Sequence, residues 1–197
     1  MTQNLPRLQS GSIYGVRWHG RGGQGAVTSA QILAEAAYID GYKGVTASPF
    51  FGAERRGVPV TASTRISAET IRVYSQLEEP DVLIVLDASL IDNSEIVNDL
   101  KPGAWLIINS NRLPSNVKAD CSIKVALCDV TAIAQKFNLV VAGSTVVGTP
   151  ILGALVRATS LVSLNSVRDA ISKRFSQPAS EVNFRAAKTV FDKTVLG

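Results

Sequence analysis

The sequence predicts an α/β fold: a mostly parallel mixed sheet flanked by helices, with an inserted antiparallel strand pair and a helical C-terminal third. Three observations predict it. Residues 20–25 place four glycines between a strand-like run and a helix-like run. Residues 82–86, Val-Leu-Ile-Val-Leu, are an unbroken apolar stretch bounded by Asp81 and Asp87, the pattern of a parallel strand buried on both faces. From residue 145 onward the apolar residues recur at helical spacing.

The elements follow in order. Residues 13–18 read as the first strand. Ile32, Leu33, Ala36, Ala37 and Ile39 put residues 26–37 in a helix that Gly41 stops. Residues 45–47 are a short second strand, and 48–59 form a loop rich in glycine, proline and aromatic residues. Over 59–67 the side chains alternate, with Val60, Ala62, Thr64 and Ile66 on one face. Residues 71–75 are a further short strand, and a turn at 67–70 makes the two an antiparallel pair. Asp87 sits at the carboxyl end of the buried strand, where open α/β sheets form their ligand crevices. A helix over 90–100 ends at Pro102-Gly103. Strands at 105–109 and 122–127 and a helix near 130–137 follow. The last third is helical over 145–158, 166–175 and 181–195. No repeat or linker interrupts the chain, so one domain covers residues 1–197.

Bulk properties exclude several function classes. The chain is 46% hydrophobic and 18% charged, with a net charge of +4. Its positive residues are scattered, which argues against nucleic acid and leaves a weak attraction for an acidic partner or ligand. Cys121 and Cys128 are the two cysteines, and His19 is the one histidine. That set is too small for a four-thiolate cluster or a structural zinc site, and reads as two reduced thiols. Residues 1–11 are polar and include Pro6, without an apolar secretory core. No apolar run approaches the ~20 residues that span a bilayer. The expectation is a cytoplasmic protein away from membranes.

The chemistry concentrates in two segments. Gly20, Gly22 and Gly25 satisfy G-x-G-x-x-G at a strand-to-helix junction. A helix that starts there offers free N–H groups and a positive dipole end to an anion. Gly20, Arg21, Gly22, Gly23, Gln24 and Gly25 are therefore a candidate phosphate site. The other reading is a tight turn packing helix on sheet, with Arg21 and Gln24 solvated. A dinucleotide site also needs an acid at the end of the second strand. Asp40 has a suitable distance in sequence but ends the first helix, and residues 45–48 carry no acid. This counts against a stand-alone NAD(P)-binding oxidoreductase, which is kept as the alternative. In the second segment, Phe50, Phe51, Glu54, Arg55 and Arg56 join aromatics to an acid and two arginines, the residue types that interfaces concentrate. The same residues also suit a solvated turn with a weak ion pair. Asp87 or Ser89 is read as the cap of the following helix. No triad, nucleophile elbow, P-loop or metal-ligand cluster is present, so no catalytic residue is assigned.

Arg17-Trp18-His19-Gly20-Arg21-Gly22-Gly23-Gln24-Gly25-Ala26 resembles the N-terminal signature of the gamma subunit of pyruvate and related 2-oxoacid:ferredoxin oxidoreductases. Phe51-Gly52-Ala53-Glu54-Arg55-Arg56-Gly57-Val58-Pro59-Val60 resembles the second signature. Glu79-Pro80-Asp81, Thr149-Pro150-Ile151-Leu152-Gly153-Ala154 and Leu161-Val162-Ser163-Leu164 fit as well, and the similarity spans about residues 13–192. The resemblance implies a non-catalytic subunit of an enzyme that oxidatively decarboxylates a 2-oxoacid, most simply pyruvate, to an acyl-coenzyme A and passes electrons to ferredoxin. It implies alpha, beta and ferredoxin-like delta subunits as partners, with thiamine diphosphate and [4Fe–4S] clusters held there. The glycine loop would then dock on the large subunits together with the 50–60 segment, or hold a phosphate of coenzyme A. The isolated chain would be inactive, and it could cover its docking surface by forming a homodimer. The matching subunit of an indolepyruvate or 2-oxoglutarate enzyme is the nearest alternative.

Overall fold

The computed structural model describes residues 8, 11–50, 57–72, 75, 77–92, 96–115, 117 and 123–197. β1 (Ile13–Arg21) leads into α1 (Ala26–Ile39), then β2 (Gly44–Phe50), β3 (Pro59–Ser67) and β4 (Val82–Val85). After α2 (Ser89–Asp92) come β5 (Trp105–Asn109), β6 (Lys124–Cys128) and α3 (Val130–Lys136). β7 (Val140–Val141) and β8 (Ser144–Thr145) form a hairpin of their own, followed by α4 (Gly148–Thr159), α5 (Leu164–Arg174), α6 (Gln177–Lys193) and β9 (Val195–Leu196).

The main sheet has the order β2-β3-β1-β4-β5-β6-β9. β1, β4, β5 and β6 are joined in parallel, and β2 shares their direction because β3 runs antiparallel to both β1 and β2. β9 is antiparallel to β6. The sheet is thus mixed and mostly parallel. The chain leaves β1 toward β2 and β3 on one side, and continues from β4 to β5 and β6 on the other. The gap between the carboxyl ends of β1 and β4 is therefore a topological switch point, the place where such sheets open a crevice.

Helices α1, α4, α5 and α6 cover one face of the sheet, with Trp18, Leu33, Ile84, Ile151 and Leu155 buried in the main core. Each such side chain contributes ~1.5–3 kcal/mol by leaving water. The Trp18 indole N–H donates to Thr64 Oγ1 at 3.1 Å, and Thr64 in turn donates to the Ala30 carbonyl, locking α1 to β1 and β3. A smaller core of Leu83, Val85, Leu106, Ile108, Ile91 and Val117 occupies the opposite face, over β4 and β5.

The structure corrects the reading of several elements. Ile71, Arg72 and Ser75 lie in no strand; the rest of the 71–75 run is outside the described residues. β3 instead takes β1 and β2 as its antiparallel neighbours. Its two edges are filled, and Glu69 and Ile71 fold over Gly44, where a side chain would collide with both. Of the helix expected over 90–100 the described residues show α2, residues 96–99 form turns, and residues 93–95 lie outside the described residues. The helix expected from 145 begins at Gly148, because Ser144 and Thr145 are held in the β7–β8 hairpin. Ala142 and Gly143 form its two-residue loop with φ of 48° and 81°, the pair of positive angles that a type I′ turn requires. No described helix is long and apolar enough to cross a membrane.

Candidate functional site

The glycine turn is built by backbone geometry. Gly23 and Gly25 have φ of 96° and 93°, a region that side chains make costly. Gly25 is the residue before α1, so the chain reverses into the helix in one step. The first-turn N–H groups of α1, at Ala26, Val27 and Thr28, have no carbonyl within the helix to bond. Gly148 packs against this turn: its N–H donates to the Gln24 carbonyl at 2.9 Å, and a side chain on it would collide with Ser29 and the Gly25 carbonyl. The starts of α1 and α4 therefore meet backbone to backbone.

Arg21 and Gln24 are braces within this turn. The Gln24 Oε1 accepts the Arg21 N–H at 2.7 Å, and the Gln24 N–H donates to the Arg21 carbonyl at 3.0 Å. The Arg21 guanidinium spans the switch point. Its Nε pairs with Asp87 Oδ2 at 2.6 Å, one terminal nitrogen donates to Ser89 Oγ at 2.9 Å, and the other donates to the Gly57 carbonyl at 3.1 Å. Burial pushes the Asp87 carboxyl up, but hydrogen bonds from Ser89 and Arg21 outweigh it and hold the group below the usual carboxylate range. Asp87 also receives the Ser89 N–H at 3.0 Å, which is the cap expected of it.

The two sequence segments meet here. The Gly22 N–H donates to the Val58 carbonyl at 2.9 Å, and the Gly57 N–H returns to the Gly22 carbonyl at 3.2 Å. Phe50 closes β2 opposite Thr61 of β3. Phe51, Glu54, Arg55 and Arg56 lie outside the described residues, but the chain that carries them leaves β2 at Phe50 and re-enters beside the glycine turn at Gly57. Around this junction Val58 and Val141 are exposed at 37% and 64%. A cavity of about 500 Å³ opens over the start of α1, between Gly22, Gly23, Thr28, Val141 and Phe175.

β2 itself carries no acid of the kind a dinucleotide site needs. Asp40 ends α1, about 20 Å along the helix from Gly25 at ~1.5 Å per residue. There its carboxylate accepts from Ser163 N at 2.7 Å, from Ser163 Oγ and from Ser166 Oγ, tying α1 to the start of α5. His19 precedes the turn but faces away from it. Burial first, then the nearby Arg17 charge, lower its pKa to about 4, so the ring is neutral at neutral pH. Sequence reasoning missed two partners: Gly148, and the Arg21–Asp87 pair. The only usable signal for the second was the placement of Asp87 at the end of a buried strand.

The model of the pyruvate ferredoxin/flavodoxin oxidoreductase family matches residues 15–193. The chain belongs to this family. Among relatives of this oxidoreductase family, the pyruvate/ketoisovalerate oxidoreductases common subunit gamma of Thermococcus litoralis is 47% identical over 184 residues, covering 92% of this chain and 97% of that protein. Pyruvate synthase subunit PorC of Methanocaldococcus jannaschii is 43% identical over 180 residues, covering 90% and 95%. The crystal structure of pyruvate oxidoreductase subunit PORC from Thermotoga maritima matches with a TM-score of 0.79 at 34% identity, over 94% of this chain and 98% of that one. The oxidoreductase-family relatives are thus named as subunits, and the chain spans nearly their full length.

Proposed function

We propose that this chain is the gamma subunit of a multi-subunit 2-oxoacid:ferredoxin oxidoreductase, with pyruvate as the 2-oxoacid, and that it serves the enzyme as a non-catalytic docking domain in the cytoplasm. The observation that carries the docking role is the junction of the two signature segments at Gly22, Gly57 and Val58, with exposed apolar side chains beside it. Among the described residues, the polar side chains of the junction are occupied: Arg21 binds Asp87, Ser89 and Gly57, and Gln24 closes its own turn. That leaves contact as the work of this surface. The names of the full-length relatives support the assignment to pyruvate.

In this reading alpha, beta and ferredoxin-like delta subunits complete the enzyme, and thiamine diphosphate and [4Fe–4S] clusters belong to them. One gamma-type domain spans residues 1–197. Phe50, Phe51, Glu54, Arg55 and Arg56 are assigned to the docking interface. A phosphate of coenzyme A is a secondary occupant for the turn at Gly20–Gly25. The free N–H groups of the first α1 turn and the cavity above them suit one phosphate, but Arg21 is turned away to Asp87, so the backbone alone would hold it.

The test is anaerobic purification of the tagged chain from its host, with an assay of 2-oxoacid- and coenzyme A-dependent viologen reduction. Cluster-bearing partners with that activity on pyruvate are expected. A solitary, colourless protein would overturn the assignment. Gly23→Val is expected to abolish co-purification, because a β-branched residue cannot adopt φ near 96° without strain. Normal assembly with a raised coenzyme A requirement would make phosphate binding the role of the turn. Arg55→Ala with Arg56→Ala is expected to weaken association, and unchanged association would remove both from the interface.

A further inference from the structure

On the sheet face opposite α1, helix covers only the β4–β5 half among the described residues. Alternation along β1 sends Arg17 and His19 to the other half, where Leu77 lies over Gly15 and Arg65 donates to the Ser75 carbonyl, and the β1–β3 register sets Thr61 beside His19. A cavity of about 650 Å³ lies above them. Residues 77–79 form one wall and residues 98–100 the other.

His19 is part of the floor. Its Nε2 is buried and has no hydrogen-bond partner among the described residues, a state that costs ~1–3 kcal/mol when nothing fills it. The ring is neutral, so it presents one donor and one acceptor nitrogen. The rim is acidic. Asp99 is matched by Arg17 at 2.8 Å, whereas Glu78 and Glu79 are exposed and join no ion pair among the described residues. Three carboxylates against one guanidinium leave the lining two charges negative, although the chain as a whole is +4.

We propose that this cavity is a socket for a basic side chain, a lysine or arginine, carried by another subunit of the complex. The inference rests on the subunit assignment above. A basic head group brings donors and positive charge together: it neutralises the surplus carboxylates and, once the His19 ring turns its Nε2 toward the cavity, gives that nitrogen a donor. An anionic group would meet like charge at Glu78 and Glu79. An apolar side chain would leave His19 as it is, unpartnered. The position also suits an interface, because His19 lies two residues before Arg21 on β1, ~7 Å along the strand. The socket and the signature junction then both lie toward the carboxyl end of β1, within reach of one partner. A side chain seated in a pocket of this kind is where interfaces concentrate their binding energy.

The test uses the intact complex. Carboxyl footprinting with a carbodiimide and glycine ethyl ester compares Glu78 and Glu79 with the exposed Glu181 of α6. Labelling of Glu78 and Glu79 at least tenfold below that of Glu181 is expected. Labelling equal to Glu181 would overturn the socket. The salt concentration that releases this chain from the complex is then measured for Glu78→Gln with Glu79→Gln, two surface changes that leave the core untouched. A lowered release midpoint is expected, and an unchanged midpoint would overturn the proposal. These outcomes leave the subunit assignment standing. Failure of the wild-type chain to co-purify with any partner overturns the assignment and the socket together.

Discussion

His19 ties stability to pH with a definite sign. Its pKa is lowered by burial from 6.5 to about 4 in the folded chain. Between those values the unfolded state binds the proton and the folded state does not. The stabilisation is therefore present above pH 6.5 and is lost as pH falls toward 4. The shift corresponds to about 3 kcal/mol at ~1.4 kcal/mol per unit. Urea unfolding of His19→Gln against wild type at pH 7 and pH 4.5 is expected to show the wild type losing stability more steeply, by about that order. Parallel curves would mean that the ring is not held neutral. Gly148 is a second residue with an unambiguous sign. A methyl group there would meet Ser29 Oγ and the Gly25 carbonyl, so Gly148→Ala is expected to cost ~1–3 kcal/mol, read as a lowered urea midpoint.

At the scale of elements, two contacts set how the pieces sit. Gly153 is where α4 crosses α6, and a Cβ on it would overlap the Ala187 carbonyl. Gly153→Ala is expected to push the helices apart at a cost of ~3 kcal/mol, near the upper end for overpacking, measurable as a lower melting temperature. Arg21 joins β1 to the start of α2 and to Gly57 through three different acceptors. Lysine cannot reproduce that fork. Arg21→Lys is expected to weaken subunit association nearly as much as Arg21→Ala, and rescue by lysine would show that charge alone suffices. The difference between what the sequence discloses and what it hides follows the same division. Hydrophobic period is local, so α1, β4 and β5 are legible to within two residues, whereas the helix expected over 181–195 runs over Gln177–Lys193 and Val195 pairs in β9. β7, β8 and β9 are two residues each, too short to carry a period. The Ile-Arg-Val-Tyr-Ser run at 71–75 has strand composition, yet the edges of β3 are already taken by β1 and β2. At the site, the glycines and the 50–60 segment stand out by composition. The Arg21–Asp87 pair bridges 66 positions and leaves no local trace.

For the molecule as a whole, one face of the sheet is closed by four helices, whereas among the described residues helix covers only the β4–β5 half of the other and the segment after β3 crosses the rest. Such asymmetry is expected of a domain that finishes its packing against a neighbour. The isolated chain is accordingly expected to self-associate, and sedimentation at increasing protein concentration checks this: an ideal monomer at every concentration would contradict it. The reciprocal bonds between Gly22 and the Gly57-Val58 step have a consequence for exchange among relatives. The two segments are far apart in sequence, yet neither keeps its shape without the other's carbonyl in register. A chimera that imports one stretch from a homologue and keeps the host's copy of the other is mismatched at its own joint. Transplanting both together, as a single graft, is the arrangement that should carry a relative's partner preference across intact.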